Sequence, residues 1–392
     1  MKRNFLTKLF VPLALAAVLT GAAFSALGVC GPFLDVNDAF FCQYVLEIFY
    51  LGITTGTTAT TYDPAASVTR LQMAAFLART VDSVLKRGSP RAAAGKFWIP
   101  QNDTVLPLTN LANGAQWARS DGADIWAASF NSATIARVRA SDGKLLDTWT
   151  GATSVEQPLV AMGKVFAPAF INTTGALYMI DPSQPAGAVT TVASNLGDRP
   201  LGITFDGSKI WTANFGNNTS GGGVSIVTPG ATIPWASTNV TAGFAGLSGA
   251  VFDGSNVWVT DTGAEKLFKL DATGAILVTV TTPVDPRMPA FDGTNIWVPT
   301  TSSAVAVVRA SNGALLAILT GNGLGNSYQA AFDGERVLIT DLNENQVSLF
   351  KAADFSPLGA FPTGTGTAPK GVCSDGLNFW IVFSNTNRLA RF

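Results

Sequence analysis

Between residues 97 and 392 the apolar positions fall in short runs separated by glycine turns, and no run has the length or 3.6-residue period of a helix. The segment Phe291-Asp292-Gly293-Thr294-Asn295-Ile296-Trp297-Val298-Pro299-Thr300 shows the unit. A strand ends at Phe-Asp-Gly, the Asp-Gly pair reverses the chain, and a second strand opens with Ile-Trp. The same pattern starts at Asp121, Asp206, Asp253, Asp333 and Asp375. A degenerate copy, Met162-Gly163-Lys164-Val165-Phe166, is one residue short and fills the gap between the first two. The seven starts are 41, 44, 47, 39, 41 and 42 residues apart, which predicts a repeat architecture.

Each unit holds a third strand, such as Ala304 to Arg309, and a second glycine turn, as at Ser141-Asp142-Gly143, Ala272-Thr273-Gly274 and Ser311-Asn312-Gly313. A fourth strand follows, as at Leu145 to Thr148 and Leu315 to Leu319. Four strands in such a repeat make one blade of a β-propeller. The seventh unit stops at Phe392 after its third strand, while a strand-like segment, Thr104 to Asn110, precedes the first. That segment is expected to supply the missing outer strand and close the ring, leaving no large exposed sheet edge. The fold class is therefore mainly β, a seven-bladed propeller of four-stranded blades over 97–392. The second strands Trp211-Thr212-Ala213-Asn214, Trp258-Val259-Thr260-Asp261 and Leu338-Ile339-Thr340-Asp341 resemble the YVTN-type propeller repeat, a likeness that implies fold and little about function.

The hydrophobic pattern differs before residue 97. Phe41, Val45, Ile48 and Phe49 are spaced like one helix face, and Leu51-Gly52-Ile53-Thr54-Thr55-Gly56 ends that helix. A second helix is expected after Ser67-Val68, with Thr69 and Gln72 at capping-box spacing and Met73, Phe76 and Leu77 on its inner face. Phe33-Leu34-Asp35-Val36, Gly52-Ile53-Thr54-Thr55-Gly56, Tyr62-Asp63-Pro64 and Val68-Thr69-Arg70-Leu71-Gln72-Met73 occur in the order of an S-layer homology (SLH) domain, which residues 29–81 resemble as a single copy. The resemblance implies a small α-helical module that attaches to a bacterial cell-wall polysaccharide or peptidoglycan-linked polymer. It places the family's helix-start Thr-Arg on Thr69 and Arg70. Gln72 stands where many members have glutamate, and Phe40 or Phe41 replaces an early tryptophan. Residues 82–96, rich in Gly, Ser, Pro and Ala, are expected to be a linker.

Upstream, Lys2, Arg3 and Lys8 precede the apolar run Leu9 to Leu19 and then small residues, the order of a secretory signal peptide over 1–28. The expected location is outside the cell, at a bacterial envelope. An oxidising compartment would let Cys30 pair with Cys42, leaving Cys373 odd; the alternative is three buried thiols.

Composition narrows the chemistry. Twenty-five basic against 26 acidic residues provide no basic surface for nucleic acid. Histidine is absent, which removes the commonest general base and metal ligand. The repeated Asp-Gly is a turn pair, and Trp126, Trp211, Trp258, Trp297 and Trp380 are expected to pack between blades. Residues at one end of the second strand vary between copies: Asn214, Asp261, Thr300 and Asp341 are candidates for a ligand or Ca2+ site on one rim, against ordinary strand-end hydrogen bonding. Thr69, Arg70 and Gln72 are candidates for wall-polymer contact, with Arg70 suited to a carboxylate. The expectation is a wall-attached binding or structural protein with no catalytic residues and no required cofactor. The alternative is a wall-anchored enzyme, such as a metal-dependent hydrolase, acting on a small molecule or glycan at the central mouth.

Overall fold

The computed structural model describes Cys30 and residues 32–50, 53–85, 106–172, 174–217 and 221–392. The expected leader, 1–28, lies outside them, as do residues 86–96 of the expected linker. The chain divides into two compact units, 1–100 and 101–392.

In the first unit, α1 (Ala39–Tyr50) and α2 (Arg70–Leu85) are the helices described. Helix α2 continues through residues 82–85, which were expected to begin the linker. Phe33, Val36 and Val45 are buried, with Phe49 and Tyr62 packed against them. The Phe33 and Phe49 rings meet edge to face at 5.1 Å. Asp35 fixes the returning loop by accepting the backbone N–H groups of Tyr62 (2.8 Å) and Asp63 (2.6 Å). Cys30 and Cys42 form a disulfide, with Cα atoms 5.4 Å apart, and Cys373 is a buried free thiol. The capping box is present: the Thr69 N–H donates to Gln72 Oε1 at 2.8 Å and the Gln72 N–H to Thr69 Oγ1 at 3.2 Å. The inner face expected for α2 is not buried. Met73 is 48% and Leu77 60% exposed, because this small core closes between Phe33, α1 and the Tyr62 loop.

The second unit is seven four-stranded antiparallel sheets. The first strands of the seven blades are β2 (Ala115–Ser120), β6 (Leu159–Ala161), β10 (Pro200–Phe205), β14 (Leu247–Phe252), β18 (Ala290–Phe291), β22 (Ser327–Phe332) and β26 (Pro369–Ser374). Each stands at one edge of its sheet and contacts the first strand of a neighbouring blade, as β10 does with β14 and β26 with both β2 and β22. These strands therefore ring the axis. The seventh blade is completed by β1 (Leu106–Asn110), which pairs antiparallel with β28 (Arg388–Arg391), Leu106 opposite Arg391. The N-terminal closing strand is where the sequence placed it.

Every blade tryptophan is buried against the next blade. Trp211 packs with Val257, Val259 and Phe268, Trp297 with Val337 and Ile339, and Trp380 with Ala115 and Ile125. A buried indole N–H needs an acceptor, and the turn aspartate provides it. Trp258 Nε1 donates to Asp253 Oδ2 at 2.8 Å, while Asp253 Oδ1 accepts the backbone N–H groups of Ser255 (2.8 Å) and Asn256 (2.7 Å). The same indole bond recurs at Asp121, Asp206, Asp292 and Asp375. In blade six Leu338 replaces the tryptophan, and Arg336 Nε donates to Asp333 Oδ2 instead, at 2.8 Å. The glycine after each of these six aspartates has φ between +92° and +104°, a region L side chains avoid. The Asp-Gly motif is thus a hairpin clamp in six of the seven blades, blade two having Met162-Gly163 instead.

Candidate functional site at the axial mouth

The four strand-end candidates are fully or almost fully buried, and their polar atoms are used inside their own blades. Asp261 accepts the N–H groups of Ala245 (2.8 Å), Gly246 (3.0 Å) and Ala264 (2.9 Å). Asp341 accepts the Gly325 N–H and the hydroxyls of Ser327 (2.6 Å) and Ser348 (2.7 Å); burial raises its pKa, and these bonds oppose the rise. Asn214 is bonded to Thr212 and Ser225, and Thr300 donates to the Ala304 carbonyl. They do not converge, and among the described residues no three carboxylate or cysteine groups come together as a metal site. Asp261 and Asp341 instead brace the peptide that leads into the first strand. At the first unit, Thr69 and Gln72 are occupied by each other in the capping box, while Arg70 is exposed beside them.

What they brace is a repeated irregularity. Each first strand carries one residue more than its partner. The register skips between Ala115 and Trp117, Pro200 and Gly202, and Leu247 and Gly249, leaving Gln116, Leu201 and Ser248 unpaired. Blades six and seven skip between Ser327 and Ala330 and between Pro369 and Val372. In blades two and five the bridges Val155–Ala169 and Pro286–Thr300 set the same offset from Leu159–Phe166 and Ala290–Trp297. A bulge of this kind bends a strand and re-aims a side chain. The equivalent residues are Gln116, Glu156, Leu201, Ser248, Arg287, Tyr328 and Lys370. All but Glu156 lie five positions before the turn aspartate, and Glu156 lies six before Met162 because that hairpin is one residue shorter.

Five of these seven, with Trp117, form one cluster. Trp117 is buried, its indole N–H donates to Glu156 Oε2 at 2.6 Å, and its ring lies 5.7 Å from that of Tyr328, two blades away. Lys370 Nζ sits 4.8 Å from the Trp117 ring centre and 5.0 Å from that of Tyr328, and donates to Gln116 Oε1 at 2.5 Å. The Arg287 guanidinium lies 5.3 Å from the Tyr328 ring and is paired with Asp285 at 2.5 Å. Arg199, in the loop before β10, lies over the Phe170 and Phe215 rings, and among the described residues has no carboxylate partner. Trp117 and Met288 belong to one buried cluster against which Tyr328 and Leu201 pack, so apolar side chains adjoin the charged ones here.

The electrostatics are strained. Burial pushes the Glu156 carboxyl up to about 7, with Lys370, the Trp117 N–H and Arg199 pulling it back. Burial draws the Lys370 ammonium down to about 8; Glu156 opposes this and Arg287 adds to it. Burial also raises the Tyr328 phenol. Titratable groups shifted toward neutrality by burial beside specific charge partners are a functional-site signature. The signal in the sequence was weak but present: Arg287, Tyr328 and Lys370 are the bulky polar side chains at a repeat position that Leu201 and Ser248 also occupy.

Two crevices of about 640 and 270 Å3 open elsewhere, beside the Asp-Gly turns of blades five and six and of blades three and four. They are lined by repeat-turn residues such as Asp292, Glu335, Asp206 and Asn256, and belong to the spacing of the blades.

No protein-family model matches the chain, and no curated protein matches it. Solved structures do. A catalytically inactive variant of virginiamycin B lyase from Staphylococcus aureus, crystallised with quinupristin, is similar with a TM-score of 0.60 and 16% identity, covering 74% of this chain and 97% of that one. Hydrazine synthase of Kuenenia stuttgartiensis gives 0.60 and 15%, covering 73% and 96%. The WD40 propeller domain of Doa1 gives 0.58 and 12%, covering 73% and 95%. The inactive lyase has a histidine exchanged for alanine, and this chain contains no histidine. Propellers of such different kinds share an architecture and not a chemistry; the likeness establishes that residues 106–392 form a seven-bladed β-propeller.

Proposed function

We propose that this chain is an exported bacterial envelope protein that attaches to a wall polymer through its first unit and binds a ligand at the axial mouth of its propeller. One observation carries the binding reading: all seven blades bulge at the same place, and the bulges bring Glu156, Arg287, Tyr328 and Lys370 to one cluster from four blades. Structure alone gives no reason to gather strained charges there, since each costs stability. The attachment reading is supported by the charged leader and by Arg70, which the capping box leaves exposed at the start of α2. Both halves are testable on the full chain. Co-sedimentation with purified bacterial cell walls should be lost on Arg70→Glu; retention would remove the tether. A ligand screen read by thermal shift should give hits that stabilise the parent and not Lys370→Met. Hits indifferent to that change would place the ligand elsewhere.

A second reading, an enzyme at the same mouth, is favoured by one fact. Glu156 near 7 and Lys370 near 8 are both able to exchange protons close to neutral pH. Turnover of a bound ligand that Glu156→Gln abolishes without loss of affinity would select it.

A further inference from the structure

Resting on the mouth as the ligand site, we infer that the ligand is a carboxylate monoanion, held by Arg287, Arg199 and Lys370. The argument is a count of charges and of unused donors. The rim brings together three cations and two carboxyl groups, Glu156 and Asp285. Asp285 Oδ2 is committed to Arg287 and to the Thr301 hydroxyl, at 2.9 Å, while its Oδ1 is buried without a partner. Glu156 is committed to the Trp117 indole and makes no salt bridge among the described residues. With Glu156 ionised and Lys370 still charged, between about pH 7 and 8, one positive charge is therefore left over, in surroundings where an unbalanced charge interacts more strongly than in water.

The donors agree. The Arg287 Nε is buried without a partner. The Arg199 guanidinium has aromatic neighbours and an electrostatic attraction to Glu156 but, among the described residues, no hydrogen-bond acceptor, and Lys370 spends one N–H on Gln116. Planar guanidinium forks bind carboxylates through two parallel bonds, and ligand oxygens would satisfy what the protein leaves open. A dianion such as phosphate exceeds the surplus and meets both Glu156 and Asp285. A neutral sugar leaves the surplus in place, and the Trp117 face is not available for stacking because that ring is 1% exposed. The carboxylate has two sources, a sugar acid of a polymer or a small free acid, and both present the same head group.

Proton linkage provides a test that needs no variant. Glu156 is faced by Trp117, Lys370, Arg199 and Tyr328, and Lys370 by Glu156, Arg287, Gln116, Trp117 and Tyr328. Ionising Glu156 and discharging Lys370 both remove positive charge, so affinity for an anion falls as pH rises through 7 and 8. The experiment is isothermal titration of the full chain with D-glucuronate, L-lactate, D-glucose and inorganic phosphate at pH 7.5, where the surplus is one charge, the carboxylates being repeated at pH 6.5 and 8.5. At least one carboxylate should bind, about tenfold or more weaker at pH 8.5 and on Arg287→Met. Glucose and phosphate should not compete with it. Glucuronate favoured over lactate points to a polymer's sugar acid, and the reverse to a free acid. The inference is overturned if neither carboxylate binds, if phosphate binds tighter, or if glucose matches glucuronate. A neutral ligand whose binding is lost on Lys370→Met would overturn the carboxylate and leave the mouth standing as the site.

Discussion

Replacing Glu156 by Gln should make the protein more stable, and only above about pH 4.5, where the unfolded carboxyl ionises. The carboxyl is 6% exposed and its pKa stands at about 7 against an ordinary 4.5. Between those values the folded chain holds a proton that the unfolded chain has released, so stability falls as pH rises through the interval. A displacement of this size corresponds to about 3 kcal/mol by the time both forms are ionised. Glutamine keeps the oxygen that accepts the Trp117 indole N–H, now at 2.6 Å, and cannot ionise. The variant should therefore match the parent in urea unfolding at pH 4.5 and exceed it by about 2–3 kcal/mol at pH 8. The difference should develop as a sigmoid between those pH values. An equal or lower stability at pH 8, with the parent's pH slope retained, would show that Glu156 is not held in a site hostile to its charge. The charge-count argument for the ligand would lose a premise with it.

The neighbouring cation gives the mirror case. Lys370 is displaced from 10.5 to about 8, so its charge costs stability below pH 8 and the cost is relieved between pH 8 and 10.5; Lys370→Met should raise the midpoint of thermal unfolding at pH 7. Asp253→Ala removes an acceptor of two amides and an indole and leaves Lys269, 3.6 Å away, without its carboxylate; chemical denaturation should register a loss of about 3–5 kcal/mol. Asp142→Ala, at an exposed turn, should leave the same unfolding curves almost unmoved. A Cβ at Gly371 would lie 2.6 Å from the Trp117 Cα, so Gly371→Ala should force blades seven and one apart and lower stability by about 1–3 kcal/mol, read by the same unfolding curves.

The architecture was readable because repetition multiplies weak signals. One Asp-Gly before one tryptophan says little, whereas seven starts at near-constant spacing fix blade number, and the surplus strand at Leu106–Asn110 follows from counting. Helix α2 was less readable. Its start was set by local chemistry at Thr69 and Gln72, but which face is buried depends on a core made elsewhere, and Met73 and Leu77 fell on the wrong side of the expectation. The mouth was hidden for the opposite reason to the blades. Variation between copies led to the correct end of the blade but to Asp261 and Asp341, which face inward. The side chains at the rim sit across the ladder from them, displaced by a bulge. Alternation along a strand cannot register an inserted residue until the partner strand is in place.

The pairing of β1 with β28 also governs the order of events as the chain is made. The strand that appears first must wait, its backbone groups unpaired, until residues 388–391 follow it. A waiting strand edge is a template for another chain. Six blades are able to form as hairpins from neighbouring sequence, but the seventh is sealed only by the two extremities meeting. Loss of a few residues past Phe383 would strip β1 of its partner and leave β27 (Phe379–Phe383) as a raw border. The ring thus acts as its own check on its last strand: a propeller lacking β28 is an open one, visible to a protease, and a sealed one carries all seven blades.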